Sequence, residues 1–292
     1  MSAALSPARQ FATGYARDRI ALAAFWVLCA LLMAALAAPW ITPQNPYDLA
    51  QLDILDGKLA PGAQGVAGIT YWLGTDDQGR DMASAILYGL RISLGVGVLS
   101  TVFALGLGLI IGLIAARAGG WTDALIMRIV DLQLSFPAIL VALILLALAG
   151  QGVDKIIIAL IVVQWAYYAR TVRGAALVEL RREYVDAAIC AGYSGARILF
   201  RHVLPNVLPP LIVVATVQVA HAIALEATLS FLGLGMPITS PSLGLLIANG
   251  YTYLLAGNYW ISFFPGIALL LTIVAINLVG DQLRDVLNPR LK

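Results

Sequence analysis

Between Ala227 and Gly280 the chain carries no Asp, Glu, Lys, Arg or His. No soluble domain offers water so long a stretch without an ionisable side chain. The remainder of the sequence agrees: 12% of its 292 residues are charged and 61% are hydrophobic, against about 25% charge in an ordinary soluble domain. This is an integral membrane protein.

Crossing the hydrocarbon core takes about 20 mainly apolar residues. Six segments qualify: Ile20 to Ile41, Ile92 to Ala116, Ala124 to Ala149, Ile156 to Val172, Val207 to Leu229 and Ser262 to Val279. The expected fold is therefore an all-α polytopic helix bundle with six transmembrane helices. The first run follows Arg9, Arg17 and Arg19 as a signal peptide would, but it is too long and has no small-residue cleavage pattern before Pro39, so it reads as a retained anchor. Leu243 to Ala256 is too short for a seventh span and follows Pro237 and Pro241. It reads as a re-entrant or surface helix facing the exterior.

Charge placement orients the bundle. With the N-terminus inside, the inner segments hold Arg9, Arg17, Arg19, Arg117, Arg128, Arg170, Arg173, Arg181, Arg182, Arg197, Arg201, Arg284, Arg290 and Lys292. Only Lys58, Arg80, Arg91 and Lys155 fall outside. The positive-inside rule then puts both termini in the cytoplasm. The chain divides into a cytoplasmic N-terminus (1–19), a first span (20–41), an extracytoplasmic loop (42–91), a core (92–281) holding a charged cytoplasmic loop at 181–205, and a cytoplasmic tail (282–292). The outer loop has six Asp against three basic residues and little periodicity, which suits a cap or a partner surface. Gly108 and Gly112 permit close helix contact, read as ordinary bundle packing rather than a dimer seam.

Several chemistries find no support. Net charge is +2, which implies no nucleic-acid partner. Cys29 and Cys190 are too few for a disulfide framework and read as small packing residues on different sides of the boundary. With two histidines and no ligand spacing a metal site is not expected, and no HExxH or GxSxG motif marks an enzyme. Gly57-Lys58 is not a phosphate loop, since Leu52 replaces its first glycine and Leu59 its Ser or Thr.

The stretch "YVDAAICAGYSGARILFRHVLPN" (Tyr184 to Asn206) interrupts the apolar runs. Asp186 falls in the first turn of a short helix, where a negative side chain suits the helix dipole, and Gly192 can take positive φ and end it. Ser194 can cap a second short helix bearing Arg197 and Arg201, with Pro205, Pro209 and Pro210 at the start of the fifth span. Ala187 and Ala188 let this backbone approach another surface closely. The residues alone fit either a knob for a partner's groove or a structured loop without a partner.

This segment resembles the cytoplasmic loop of ABC importer permeases: Glu-Ala-Ala, three residues, Gly, nine residues, Ile, one residue, Leu-Pro. The matching positions are Asp186, Ala187, Ala188, Gly192, His202, Leu204 and Pro205, with Asp186 in place of Glu and His202 in place of the aliphatic residue. "LGTDDQGRDMASAILYGLRISLGVG" (Leu73 to Gly97), "SFPA" (Ser135 to Ala138), "EATLSFLGLG" (Glu226 to Gly235) and "FPGIALLLTIVAINLVGDQLRDVLNP" (Phe264 to Pro289) are similar to the dipeptide/oligopeptide/nickel branch, C-type subunit. The resemblance implies a type I ABC importer permease fold in a bacterial inner membrane, and a loop that couples to an ATPase. It further implies a B-type permease partner, two cytoplasmic ATPase subunits that bind ATP and Mg, and an extracytoplasmic binding protein that delivers peptides. Nickel, glutathione and opines are alternative cargoes. This chain itself is expected to hold no cofactor and to perform no catalysis.

Four further residues stand out at membrane depth, where ionisable groups are functional candidates. Glu226, near the outer end of the fifth span, is a substrate-path candidate that could attract a peptide amino group or reach interfacial water. Arg128 and Asp131 are expected to pair locally, and His221 to be a packed polar residue. An ion-driven secondary transporter is the rival class, but it would need midplane carboxylates and repeated halves, and neither is seen.

Overall fold

The computed structural model describes residues 13–240 and 242–287. Arg9, Pro241, Pro289, Arg290 and Lys292, invoked above, lie outside the described residues, as do the outer parts of the N-terminus and the tail. The principal α-helices among the described residues are α1 (Arg19–Ile41), α2 (Met82–Ala118), α3 (Gly120–Ser135), α4 (Ala138–Ala149), α5 (Val153–Glu179), α6 (Glu183–Cys190), α7 (Gly195–Ile198), α8 (Leu204–Phe231), α9 (Leu243–Tyr251) and α10 (Trp260–Leu287). One two-residue hairpin, β1 (Ala63–Gln64) with β2 (Thr70–Tyr71), pairs Ala63 with Tyr71.

Among the described residues five helical segments are long and apolar enough to cross a membrane, and the pair α3 and α4, which makes six when counted as one span, is bent by 87°. The third segment is thus not one straight helix. Pro137 disfavours helical backbone at the residue before it, and Phe136 is extended at φ −89°, ψ 140°. The other spans are longer than their apolar runs. Met82 to Arg91 belong to α2, not to a loop, because the Asp81 carboxylate caps the helix by accepting from the Ser84 amide. α2 consequently runs about 55 Å at 1.5 Å per residue.

The bundle has two unlike ends. At one lie residues 42–81, the loop after α8 and the start of α10. At the other lie the described termini, with Gln282 donating to the carbonyls of Gly14 and Tyr15, and the charged segment. α9 is neither a span nor a surface helix. It is wedged between α8 and α10, where a Cβ on Gly244 would lie 2.3 Å from the Ala227 oxygen and one on Gly250 would lie 2.4 Å from the Ser262 nitrogen.

Lipid tails are as apolar as leucine, so helices in a bilayer adhere mainly by close packing. α2 meets α5 through Gly108 and Gly112: a Cβ would lie 2.4 Å from the Tyr168 Cβ at the first and 2.6 Å from the Ala169 oxygen at the second. The glycine pair is therefore a seam within the chain. Charged pairs add to the α3–α5 contact. Arg173 grips Asp123 through Nε and Nη2 at 2.6 and 2.5 Å, and Arg170 pairs with Asp131. The expected Arg128–Asp131 pair does not form, since the partner comes from the neighbouring helix.

Gly112→Val forces a branched side chain against backbone and should cost about 1–3 kcal/mol. Gly106→Val, where an added Cβ meets nothing within 4 Å, should leave the melting temperature of the detergent-solubilised protein nearly unchanged. Equal losses would mean that the seam is not the close contact described.

Candidate functional site

The charged segment leaves α5 at Leu180 and turns into α6, whose first turn holds Glu183 and Asp186. Val185 and Ala188 are buried, whereas Asp186, Ala187, Ile189 and Cys190 face outward. Of the two alanines, only Ala187 lies on the outer face. Cys190 is exposed rather than packed, and Cys29 is half-buried. The helix stops at Gly192, which takes φ +77°, with the Tyr193 amide donating back to the Ala188 carbonyl. That is the left-handed stop the sequence anticipates.

Past the corner, Ser194 caps α7 through the Arg197 amide. At Gly195 the Arg117 guanidinium from the end of α2 lies where a Cβ would be, so a side chain there would have to displace it. The second short helix is not separate. A π-turn at Leu199–Val203 joins it to α8, giving one apolar helix from Gly195 to Phe231. Pro209 and Pro210 consequently sit inside a helix rather than at its start, and Arg197 and Arg201 are exposed along its flank.

The segment is fastened to the bundle beneath it. Val185, Ala188, Ile198, Leu199 and Val203 share one buried cluster with Leu113 of α2 and Val172 of α5, and Leu204 packs against it. Above that cluster His202 stacks on Tyr193 at 5.9 Å. The Tyr184 hydroxyl donates to Glu179 at 2.6 Å and accepts from Asn206 at 3.2 Å. An aromatic stack thus fills the place of an aliphatic contact. Pro205 is exposed at the start of α8. Arg117 and Gly195 belong to this site and carried no sequence signal beyond the serine-glycine turn.

At the opposite end, residues 42–81 fold over the bundle as a cap. Asp56 accepts from the Val66 amide at 2.8 Å and the Tyr71 hydroxyl at 2.9 Å. Burial and this carboxylate push the Tyr71 phenol up to about 12. Asp76 accepts from the amides of Gln78 and Arg80. Burial nonetheless holds its carboxyl above the usual range, with those amides and Arg80 offsetting part of the effect. The Arg80 side chain is 0% exposed and lies 3.5 Å from Asp76, while its Nη2 donates to the Ile238 carbonyl at 2.9 Å. Trp260 of α10 donates to the Thr75 carbonyl. These contacts tie the cap to the loop after α8 and to α10. Lys58, at φ +60°, lays its ammonium over the Tyr253 ring, which is no phosphate-binding geometry.

Beneath the cap Glu226 is 0% exposed. It accepts from Ser93 of α2 at 2.9 Å and from Ser230 at 2.7 Å, and Ser242 at the start of α9 adds a third hydroxyl. In this conformation the carboxylate reaches neither interfacial water nor a cavity. It brackets α2, α8 and α9. His221 is exposed on α8 rather than packed. Among the described residues no cluster of metal-ligating side chains occurs.

The comparisons with known proteins agree with this architecture. Residues 108–292 match the binding-protein-dependent transport system inner membrane component family. Residues 6–61 match the N-terminal transmembrane domain of oligopeptide transport permease C. The chain is 37% identical over 288 residues to the di/tripeptide transport system permease protein DppC of Pseudomonas aeruginosa, covering 98% of this chain and 93% of that one. It is 43% identical over 266 residues to a peptide transport system permease protein of Brucella suis, covering 91% and 86%. Two crystal forms of the inward-facing MetNI methionine ABC transporter share the fold at 23% identity, with TM-scores of 0.56 and 0.58. They cover 69% and 70% of this chain and 96% and 97% of theirs. The chain belongs to the inner-membrane permeases of binding-protein-dependent transport, in the C-type branch of the ABC peptide permeases. It is a multi-pass membrane protein of a transport family.

Glu226→Ala leaves three hydroxyls facing an empty site and should destabilise the protein by about 1–3 kcal/mol, read as a lower melting temperature in detergent. An unchanged melting temperature would remove Glu226 from the bracket and return it to the cargo path.

Proposed function

We propose that this permease pairs with a B-type permease to form the route for di- or oligopeptides, delivered by an extracytoplasmic binding protein and driven by two cytoplasmic ATPase subunits that hold ATP and Mg. The observation that carries this reading is the charged segment: an exposed helix with Asp186 and Ala187 on its outer face, stopped by a positive-φ glycine and fused to the helices beneath it. Peptides are favoured over nickel, glutathione or opines because the relatives that cover nearly the whole chain are peptide permeases.

The positive-inside rule supports placing the charged segment and both termini in the cytoplasm, because the basic side chains of the described residues concentrate at that end. Asp186, Ala187, Gly192 and the Arg197 flank then meet an ATPase, while Ala188, His202 and Leu204 hold the segment in place and Pro205 opens α8 beside them. Because the segment shares one core with α2, α5 and α8, displacing it displaces those helices together. The cap and the loop after α8 are left on the outer side for the binding protein.

Purified with its partner permease and ATPases and reconstituted in vesicles, the chain should support ATP-dependent peptide uptake when the binding protein is supplied. Gly192→Val should reduce that uptake at least severalfold while the complex still assembles, since a β-branched residue resists positive φ. Gly192→Asn should lose less. Undiminished uptake by Gly192→Val would sink the coupling assignment.

A further inference from the structure

A spanning helix turns apolar side chains to lipid, so a polar side chain facing outward at membrane depth marks a surface that lipid does not cover. The outward faces of this bundle divide by that test. On α2, between Arg91 and Arg117 near its two ends, the exposed side chains are Val98, Leu99, Val102, Phe103, Leu107, Ile110 and Ile114, all apolar. On α8 the outward side carries exposed Ile212 and Val217, then half-buried Gln218, and one turn on the exposed His221.

Next to this face, toward the charged segment, a cavity of about 770 Å³ opens between α5, α8 and α10. Tyr167, Pro209, Val213 and Val217 wall it, and Gln218, Asp281 and Arg284 give it polarity. Among the described residues neither Asp281 nor Arg284 makes an ion pair. Pro209 and Pro210 have no N–H, which leaves the carbonyls of Pro205 and Asn206 without their usual helical donors. The cavity thus combines an apolar wall with one anionic group, one cationic group and backbone acceptors.

We propose that the α8 face bearing Gln218 and His221, with the adjoining cavity, is this chain's wall of the substrate route, and that it accommodates a zwitterionic short peptide. The inference rests on the peptide-importer reading and names the residues that serve it. Asp281 and the two carbonyls suit a peptide ammonium, and Arg284 suits a carboxylate. Gln218 and His221 offer hydrogen bonds to the peptide backbone, while the valines and prolines accept varied side chains without choosing among them. Such a surface passes cargo without retaining it.

The test uses the complete transporter in vesicles, with Cys29→Ala and Cys190→Ala as background. Gln218→Cys, His221→Cys and, on the apolar α2 face, Val102→Cys are each treated with a charged, membrane-impermeant thiol reagent. A thiol in water ionises and reacts whereas one in hydrocarbon does not, so positions 218 and 221 should react about tenfold or more faster than 102. Trialanine at high concentration on the charged-segment side should slow both. Should the His221→Cys complex fail to assemble, Gln218→Cys one turn away carries the same comparison.

Labelling at 218 and 221 no faster than at 102 would overturn the route, as expected of a face covered by lipid or by the second permease. Fast labelling that trialanine does not slow would overturn the zwitterionic occupant. Trialanine uptake by the transporter holding the Cys29→Ala, Cys190→Ala chain, measured alongside, separates the two readings: labelling without uptake leaves the wall standing and removes the peptide.

Discussion

The close contact of α2 with α5 is the constraint on which the other features hang. Within a bilayer no water is released by bringing two helices together, so adhesion depends on how near their backbones can come. Gly108 and Gly112 set that distance against Tyr168 and Ala169. α2 begins in the cap through Asp81 and ends with Arg117 lying over Gly195, so it joins the cap to the charged segment. The buried cluster that fastens the charged segment is the continuation of the same seam through Leu113 and Val172.

Fastening at both ends has different chemistry. The charged segment is held chiefly by apolar packing and an aromatic stack. The cap is held by buried polar groups: Arg80 between Asp76 and the Ile238 carbonyl, Asp56 with Tyr71, Trp260 on Thr75. Apolar contacts have no strong directional requirement, and a segment held by them can shift as a body with its core. Hydrogen-bonded carboxylates and a buried guanidinium fix position more narrowly, because a displaced group leaves a buried partner unsatisfied.

Much of this was legible in the sequence, and the remainder was hidden for identifiable reasons. Spans announce themselves by composition, so their existence was readable. Their ends were not, because α2 and α5 continue beyond the apolar run into polar residues such as Ser84 and Asp154. The kink at Phe136 was available in the pair Phe-Pro but was outweighed by the predominantly apolar composition of the segment. The corner at Gly192 was readable because its cause is local. Pairings across helices were not: Asp131 finds Arg170 and not Arg128, and Glu226 finds Ser93 across the bundle. The prolines of α8 were placed at a helix start because nothing in the sequence says that a π-turn carries the helix through the preceding residues.

Gly192 illustrates how specific a small residue can be. It stands at φ +77°, yet an atom added at its α-carbon would touch nothing within 4 Å. Most glycines in tight places, Gly244 and Gly250 among them, are required for want of space. Gly192 has space and is required for handedness. The corner of the charged segment therefore discriminates mirror images rather than sizes: a D-alanine would sit there without strain, and an L-alanine, no larger, would not.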